Sequence, residues 1–218
     1  MKTPSISIIV PTYNQEKWIG RCLRSLLSQI MERDKYEIIV VDDGSTDRTD
    51  FALELFRDEI SLIQYSENKG LPSALNIGIK SSKAKYIVRV DSDDFVNENF
   101  LFLLYEFMEH NKYMDAVACD YLLVNNKEET ISRKNCMEDP IGCGIIFQTS
   151  QLFEIGLYDE EFNLHEERDL RHRFEKKYKI HRLELPLYRY RRHENNITND
   201  QEALDYHDQK LREKHKIK

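Results

Sequence analysis

The chain alternates short apolar runs with amphipathic stretches through its first half. ISIIVPT, residues 6–12, reads as a strand buried on both faces, and from Trp18 the apolar positions Ile19, Cys22, Leu23, Leu26, Leu27 and Ile30 fall at helical spacing. YEIIVVDD is a second strand, followed by the turn DGSTD and a helix marked by Phe51, Ala52, Leu55 and Phe56. SLIQY, LPSALNIGIKSS and KYIVRVD then read as strand, helix and strand. A further helix, NENFLFLLYEFMEHN, puts Phe100, Leu103, Leu104 and Phe107 on one face. Repeated strand–helix–strand units predict an α/β fold, with a mainly parallel sheet and helices on both of its faces.

Beyond about residue 112 the pattern loosens. DAVACDYLLVN and IGCGIIFQTS look like strands, EERDLRHRFEKKY like a helix, and LPLYRYRRHE like a strand entering a loop. From Asn199 the chain is charged and mildly helical. No repeat or linker divides it, so one domain over 1–198 with a tail over 199–218 is expected.

Ligands of parallel α/β sheets sit at the carboxyl ends of the strands. Here those ends are PTYN, DDGSTD and DSDD, all polar or acidic. The third holds Asp91, Asp93 and Asp94 within four residues, directly after a β-branched run. Unpaired carboxylates buried there would be costly. A solvated turn is the ordinary reading of one such motif. A divalent cation shared with phosphate oxygens is the functional one.

Composition narrows the classes further. Of 218 residues, 40% are hydrophobic, enough for a sizeable core, and the net charge of −7 argues against a nucleic-acid-binding surface. The first apolar run is about six residues, far short of the roughly 20 that span a bilayer. It also lacks a small-residue cleavage site. The cysteines Cys22, Cys119, Cys136 and Cys143 form no CxxC pair. A cytoplasmic protein with free thiols is expected.

SIIVPTYN, VVDDGSTD, ENKG…ALNIG, DSDD, GLYDEEFNLHEERDLRHRF and YRRHENNIT follow one another in this order. Together they resemble the inverting nucleotide-sugar glycosyltransferases of family 2, which have the GT-A fold. The resemblance covers roughly residues 4–198 and implies a nucleotide-binding half to about residue 112 and an acceptor-binding half over 113–198. It implies that Pro11, Thr12 and Tyr13 line the nucleotide pocket and that Asp43 accepts a hydrogen bond from the base. The alternative for Asp43 is a helix-capping turn, which Asp47 can supply instead. Asp91 and Ser92 would lie near ribose and phosphate. Asp93 would ligate Mn²⁺ or Mg²⁺, with His193 and Asp91 completing the shell and Asp94 capping the turn or supporting Asp93. Arg191 or Arg192 would face phosphate oxygens, since a strand lets only one of two neighbours point inward.

Two departures stand out. Relatives carry Glu-Asp where this chain has Glu166-Glu167, so Glu167 takes the general-base position with one extra methylene. Alone, this acidic cluster would read as a helix N-terminus favoured by the macrodipole. Leu75 stands where many relatives have Arg, which leaves Lys69 to compensate. Gly142-x-Gly144 lacks a third glycine and comes too late for a dinucleotide loop. Asn196-Ile-Thr matches a glycosylation sequon that a cytoplasmic chain would not use.

The implied partners are a nucleotide-sugar donor, expected to be a UDP-sugar, and a saccharide or lipid-linked saccharide acceptor. Through such an acceptor the protein could touch the inner face of a membrane; no nucleic acid is implied. The rival enzyme class is a sugar-nucleotide nucleotidyltransferase, but PTYNQEKWIG is not its Gly-rich loop. A catalytically degenerate nucleotide-sugar binder is the non-enzymatic alternative.

Overall fold

The protein was analysed as a computed structural model, which describes residues 3–194 and 201–216. The Asn196 sequon lies outside the described residues. β1 (Ile6–Thr12), β2 (Tyr36–Asp42), β3 (Ser61–Gln64) and β4 (Tyr86–Arg89) form a parallel unit in the order β3-β2-β1-β4. β1 is buried along its whole length, as expected of a central strand flanked by crossover helices.

The sheet continues through β8 (Ile145–Gln148), β6 (Ala116–Val124), β9 (Ile180–Arg191) and β5 (Phe95–Val96), with β7 (Thr130–Lys134) paired to β6. In this half β8 runs antiparallel to both neighbours, β6 and β9 are parallel, and β5 is antiparallel to β9. The sheet is therefore parallel in its first four strands and mixed beyond them. Periodicity marks a strand but not its direction. The short β5 and β7 carried no distinct signal, and neither did the six-residue α5 (Thr149–Glu154).

Helices cover both faces. Alternation along β1 sends Ile6, Ile8 and Val10 to one core, shared with α1 (Ile19–Leu27), α2 (Thr49–Glu54) and α4 (Phe100–His110). Ile9 turns to the other core, shared with α3 (Leu71–Ser81), α5 and α6 (Glu166–Phe174). Each fully buried Ile, Leu or Val contributes about 1.5–3 kcal/mol of transfer free energy. Packing divides the apolar residues around α2. Leu53 and Phe56 are buried, whereas Phe51 and Leu55 are 74% and 82% exposed. The helix is too short for its apolar spacing to select one face.

The charged tail forms α7 (Gln201–His215), which docks on α6 through ion pairs. Asp169, fully buried, accepts from Arg173 at 2.8 Å and His215 at 2.7 Å and pairs with Lys214 at 2.6 Å. Among the described residues no helix is long and apolar enough to cross a membrane.

Candidate functional site

The carboxyl ends of β1, β2 and β4 build one edge of the site. Asn14, with a left-handed φ of 54°, turns its Oδ1 to accept from the backbone N–H groups of Thr46 and Asp47 at 2.7 and 3.3 Å. This ties PTYN to DGSTD. Pro11 and Thr12 are buried, and Tyr13 is 44% exposed. Thr12 Oγ1 is buried with no hydrogen-bond partner among the described residues. An unpaired buried hydroxyl is costly and suits a ligand that supplies the missing partner.

The two aspartates of VVDDGS divide their work. Asp42 accepts from the Ser45 N–H and from Gln64. Asp43, 3% exposed, accepts the backbone N–H groups of Lys69 at 2.9 Å and Gly70 at 2.8 Å. Asp43 thus anchors the loop that opens α3, while Asp47 caps α2 through the Thr49 N–H at 2.9 Å. The Lys69 ammonium lies 4.0 Å from the Tyr65 ring centroid. Leu75 is fully buried in the core and presents nothing to a ligand.

The β1–β4 ladder ends at Ile9 opposite Arg89, which releases residues 91–94 from the sheet. β5 then pairs with β9, Phe95 opposite Arg189, and this clamps the acidic turn against the YRYRRH segment. His193 Nε2 lies 2.9 Å from Asp93 Oδ2, across a hundred residues of sequence. Asp94, 2% exposed, accepts from the Arg191 backbone N–H and the Tyr188 hydroxyl, both at 2.7 Å. Burial, then the charges of Asp93 and Asp91, push its carboxyl well above the ordinary range. Asp94 supports the turn. Ser92 is buried beside it.

Arg191 is the neighbour that points inward. It is 1% exposed, donates from Nε to the Asp93 carbonyl at 2.8 Å, and lies 4.3 Å from the Trp18 ring centroid. Its guanidinium is committed to holding the turn, and Arg192 is the exposed one of the pair. Trp18 also stacks on His193, with centroids 5.8 Å apart.

The acid-rich turn is compatible with a divalent cation. Two groups of possible donors lie at or beside this turn. Asp91, Asp94 and Cys143 bring ligand atoms within 4.8 Å of one another. However, burial, then Asp91 and Asp94, push the Cys143 thiol well above its usual value, and a protonated thiol is a poor ligand for hard cations. The Asp93 carboxylate and the His193 imidazole, 2.9 Å apart, are a second pair of donors compatible with a divalent cation.

The opposite edge is the N-terminus of α6, entered through His165 in the left-handed region. Glu166 and Glu167 diverge. Glu166 is 4% exposed and accepts from Arg89 Nη1 at 2.8 Å; burial, then the charge of Glu167, push it up to about 7. Glu167 is half-buried and lines a cleft with Pro140, Ile141, Tyr158 and Arg171. Sequence reasoning assigned no site role to Arg89, Trp18 or Tyr188 and set Gly142 aside as part of an incomplete glycine motif. For Arg89 the signal was present: a lone cation in YIVRVD, two residues before an aspartate, marks a buried ion pair.

Residues 7–157 match the family described as glycosyl transferase family 2. The poly(ribitol-phosphate) beta-glucosyltransferase of Bacillus spizizenii is 40% identical over 111 residues, 49% of this chain and 18% of that protein. The uncharacterized glycosyltransferase EpsJ of Bacillus subtilis is 39% identical over 129 residues, 58% of this chain and 37% of that one. This chain therefore spans well under half the length of these relatives. Among solved structures, Staphylococcus aureus TarS 1–349 in complex with UDP-GlcNAc superposes with a TM-score of 0.77 at 25% identity. That match covers 90% of this chain and 61% of the other. The mannosyltransferase PcManGT of Pyrobaculum calidifontis, in complex with GDP-Man and Mn²⁺, shares the fold with a TM-score of 0.77 at 18% identity, over 98% of this chain and 64% of that one. With well over half of its length inside the family match and the GT-A fold around the site, the chain belongs to glycosyl transferase family 2.

Proposed function

We propose that the chain carries out inverting transfer of a sugar from a UDP-sugar to a hydroxyl of a saccharide or lipid-linked saccharide in polysaccharide assembly. One observation carries this reading. Asp93 paired with His193, and Glu167 on the first turn of α6, lie on two edges that Arg89 ties together through Asp91 and Glu166. The TarS complex with UDP-GlcNAc supports the choice of donor.

In this reading residues 1–112 hold the donor and 113–198 the acceptor. Pro11, Thr12 and Tyr13 form the nucleotide wall, and the Thr12 hydroxyl finds its partner there. Asp43 fixes the loop that carries Lys69 and accepts from the base with its remaining lone pairs. Asp91, Ser92 and Arg192 lie along the ribose and diphosphate. Asp93 and His193, with Asp91, would hold Mn²⁺ or Mg²⁺, whose charge supports departure of the diphosphate. Glu167 takes the proton of the acceptor hydroxyl as that oxygen attacks the anomeric carbon. The new C–O bond forms as the bond to the phosphate oxygen breaks, and the nucleoside diphosphate leaves from the opposite face. One displacement inverts the centre.

The test is UDP release from UDP-N-acetylglucosamine with Mn²⁺, over a panel of saccharide acceptors. Glu167→Gln should bind UDP normally yet lose ~10²–10⁴-fold in rate, the usual worth of a positioned base. Glu166→Gln should lose less. If Glu166→Gln is the crippled variant, the base is the preceding glutamate. Pyrophosphate in place of UDP would mean a nucleotidyltransferase, and UDP binding without release would mean a degenerate binder.

A further inference from the structure

Arg89 closes β4 on the face shared with Ile87, beneath the N-terminus of α6, and is only 8% exposed. Burial works against its charge, and Asp91 and Glu166 outweigh that effect. The pairing is geometrically specific. Nε donates to Asp91 Oδ1 at 2.6 Å, Nη2 to Asp91 Oδ2 at 3.2 Å, and Nη1 to Glu166 Oε1 at 2.8 Å. One guanidinium grips the acidic turn with a two-pronged fork and the base helix with its remaining arm.

A third contact points the same way. A Cβ placed on Gly142 would lie 2.7 Å from Arg89 Nη1 and 2.8 Å from Glu167 Cβ. Arg89 and the root of the Glu167 side chain therefore both close on the side of Gly142 where a side chain would project. Glu166 ties the same helix to Arg89.

We infer that Arg89 is a positioning residue for Glu167: it sets the distance between the donor-binding acidic turn and the base by spanning Asp91 and Glu166. The inference rests on the reading of function given above. A guanidinium suits the task because its planar fork reaches both carboxylates at once; a lysine ammonium keeps the charge but lacks the fork. The competing role is simple neutralisation of Asp91, which would act on donor binding alone.

The experiment compares wild type, Arg89→Lys, Glu167→Gln and the double variant, measuring UDP affinity with Mn²⁺ and the rate of UDP release from UDP-N-acetylglucosamine with acceptors. Arg89→Lys should lower kcat by roughly 10–10²-fold, the cost of a small misplacement of a reacting group. Its UDP affinity should stay within about 2-fold, the usual error of additivity. Because Arg89 acts through Glu167, the double variant should be no slower than Glu167→Gln alone. If Arg89→Lys does not fold, Glu166→Gln removes the charge from the same link while keeping the side-chain shape and should lower kcat by about 10-fold at unchanged UDP affinity. Weakened UDP binding with an unchanged kcat would assign Arg89 to Asp91 alone and overturn the inference. Fully additive losses in the double variant would also overturn it. Wild type that binds UDP but releases none from the donor would overturn both the function and this inference, whereas active wild type with an unaffected Arg89→Lys would overturn only the latter.

Discussion

Gly142 offers a sharp test of how tightly the two edges of the site are packed. Its φ lies outside the left-handed region, so Gly142→Ala adds no backbone strain of that kind and acts only through the new methyl group. That methyl would sit 2.7 Å from Arg89 Nη1 and 2.8 Å from Glu167 Cβ, against an optimum of roughly 3.5–4.0 Å between carbons. Something must move by about 1 Å. Retreat is limited on both sides: Arg89 is held by Asp91 and Glu166, and the Gly144 N–H donates to the Arg89 carbonyl at 3.3 Å. Overpacking of this kind costs about 1–3 kcal/mol. For a chain of this length that lowers Tm by roughly 2–12 °C. A 1 Å displacement of Glu167 should lower the rate about 10²-fold. The control is Gly156→Ala. Gly156 has φ +90° but nothing within 4 Å of an added Cβ. It should lose about 1–2 kcal/mol to backbone strain and keep its rate. Urea denaturation followed by UDP-release assays on both variants measures the contrast. A Gly142→Ala protein with wild-type stability and full activity would refute the packing argument.

Asp93→Asn should leave the apo fold intact while removing the Mn²⁺-dependent part of the stabilisation by UDP; in wild type that gain is about 2.7 kcal/mol at ligand 100-fold above its Kd. Equal thermal shifts for both proteins would count against the metal assignment. Asp43→Ala leaves the Lys69 and Gly70 N–H groups without their acceptor and should cost about 1–3 kcal/mol of apo stability in denaturant titration. It should also weaken UDP binding, and unchanged affinity would reduce Asp43 to a loop anchor. Asp120 is fully buried; burial pushes its carboxyl up, but hydrogen bonds from Arg182 and Arg133 outweigh this and hold it at about 2. A depressed folded-state value contributes stability that is complete above about pH 4 and lost as pH falls towards 2. The stability gap between wild type and Asp120→Asn should therefore shrink across that window, and a gap independent of pH would contradict the assignment.

The sequence by itself determined most of the elements and the strand ends at which the acidic residues gather. Continuous apolar runs set β1 and β2, and apolar spacing of three to four set α1, α3 and α4, nearly to their observed ends, because central strands bury both faces and each helix a stripe. PTYN, DDGSTD and DSDD could only be strand ends, since a core would not accept their unpaired charge. Tertiary structure alone decided which charges meet. His193 reaches Asp93 only because the two-residue β5 pairs with β9, an interaction with no local signature. Strand alternation leaves Arg191 and Arg192 equivalent until that pairing buries Arg191 against Trp18 and Phe95. Arg89 reads locally as a flaw in an apolar strand. It becomes the link across the site once the fold brings Asp91 and Glu166 to its two ends, because a buried cation is stable only where opposite charges converge on it.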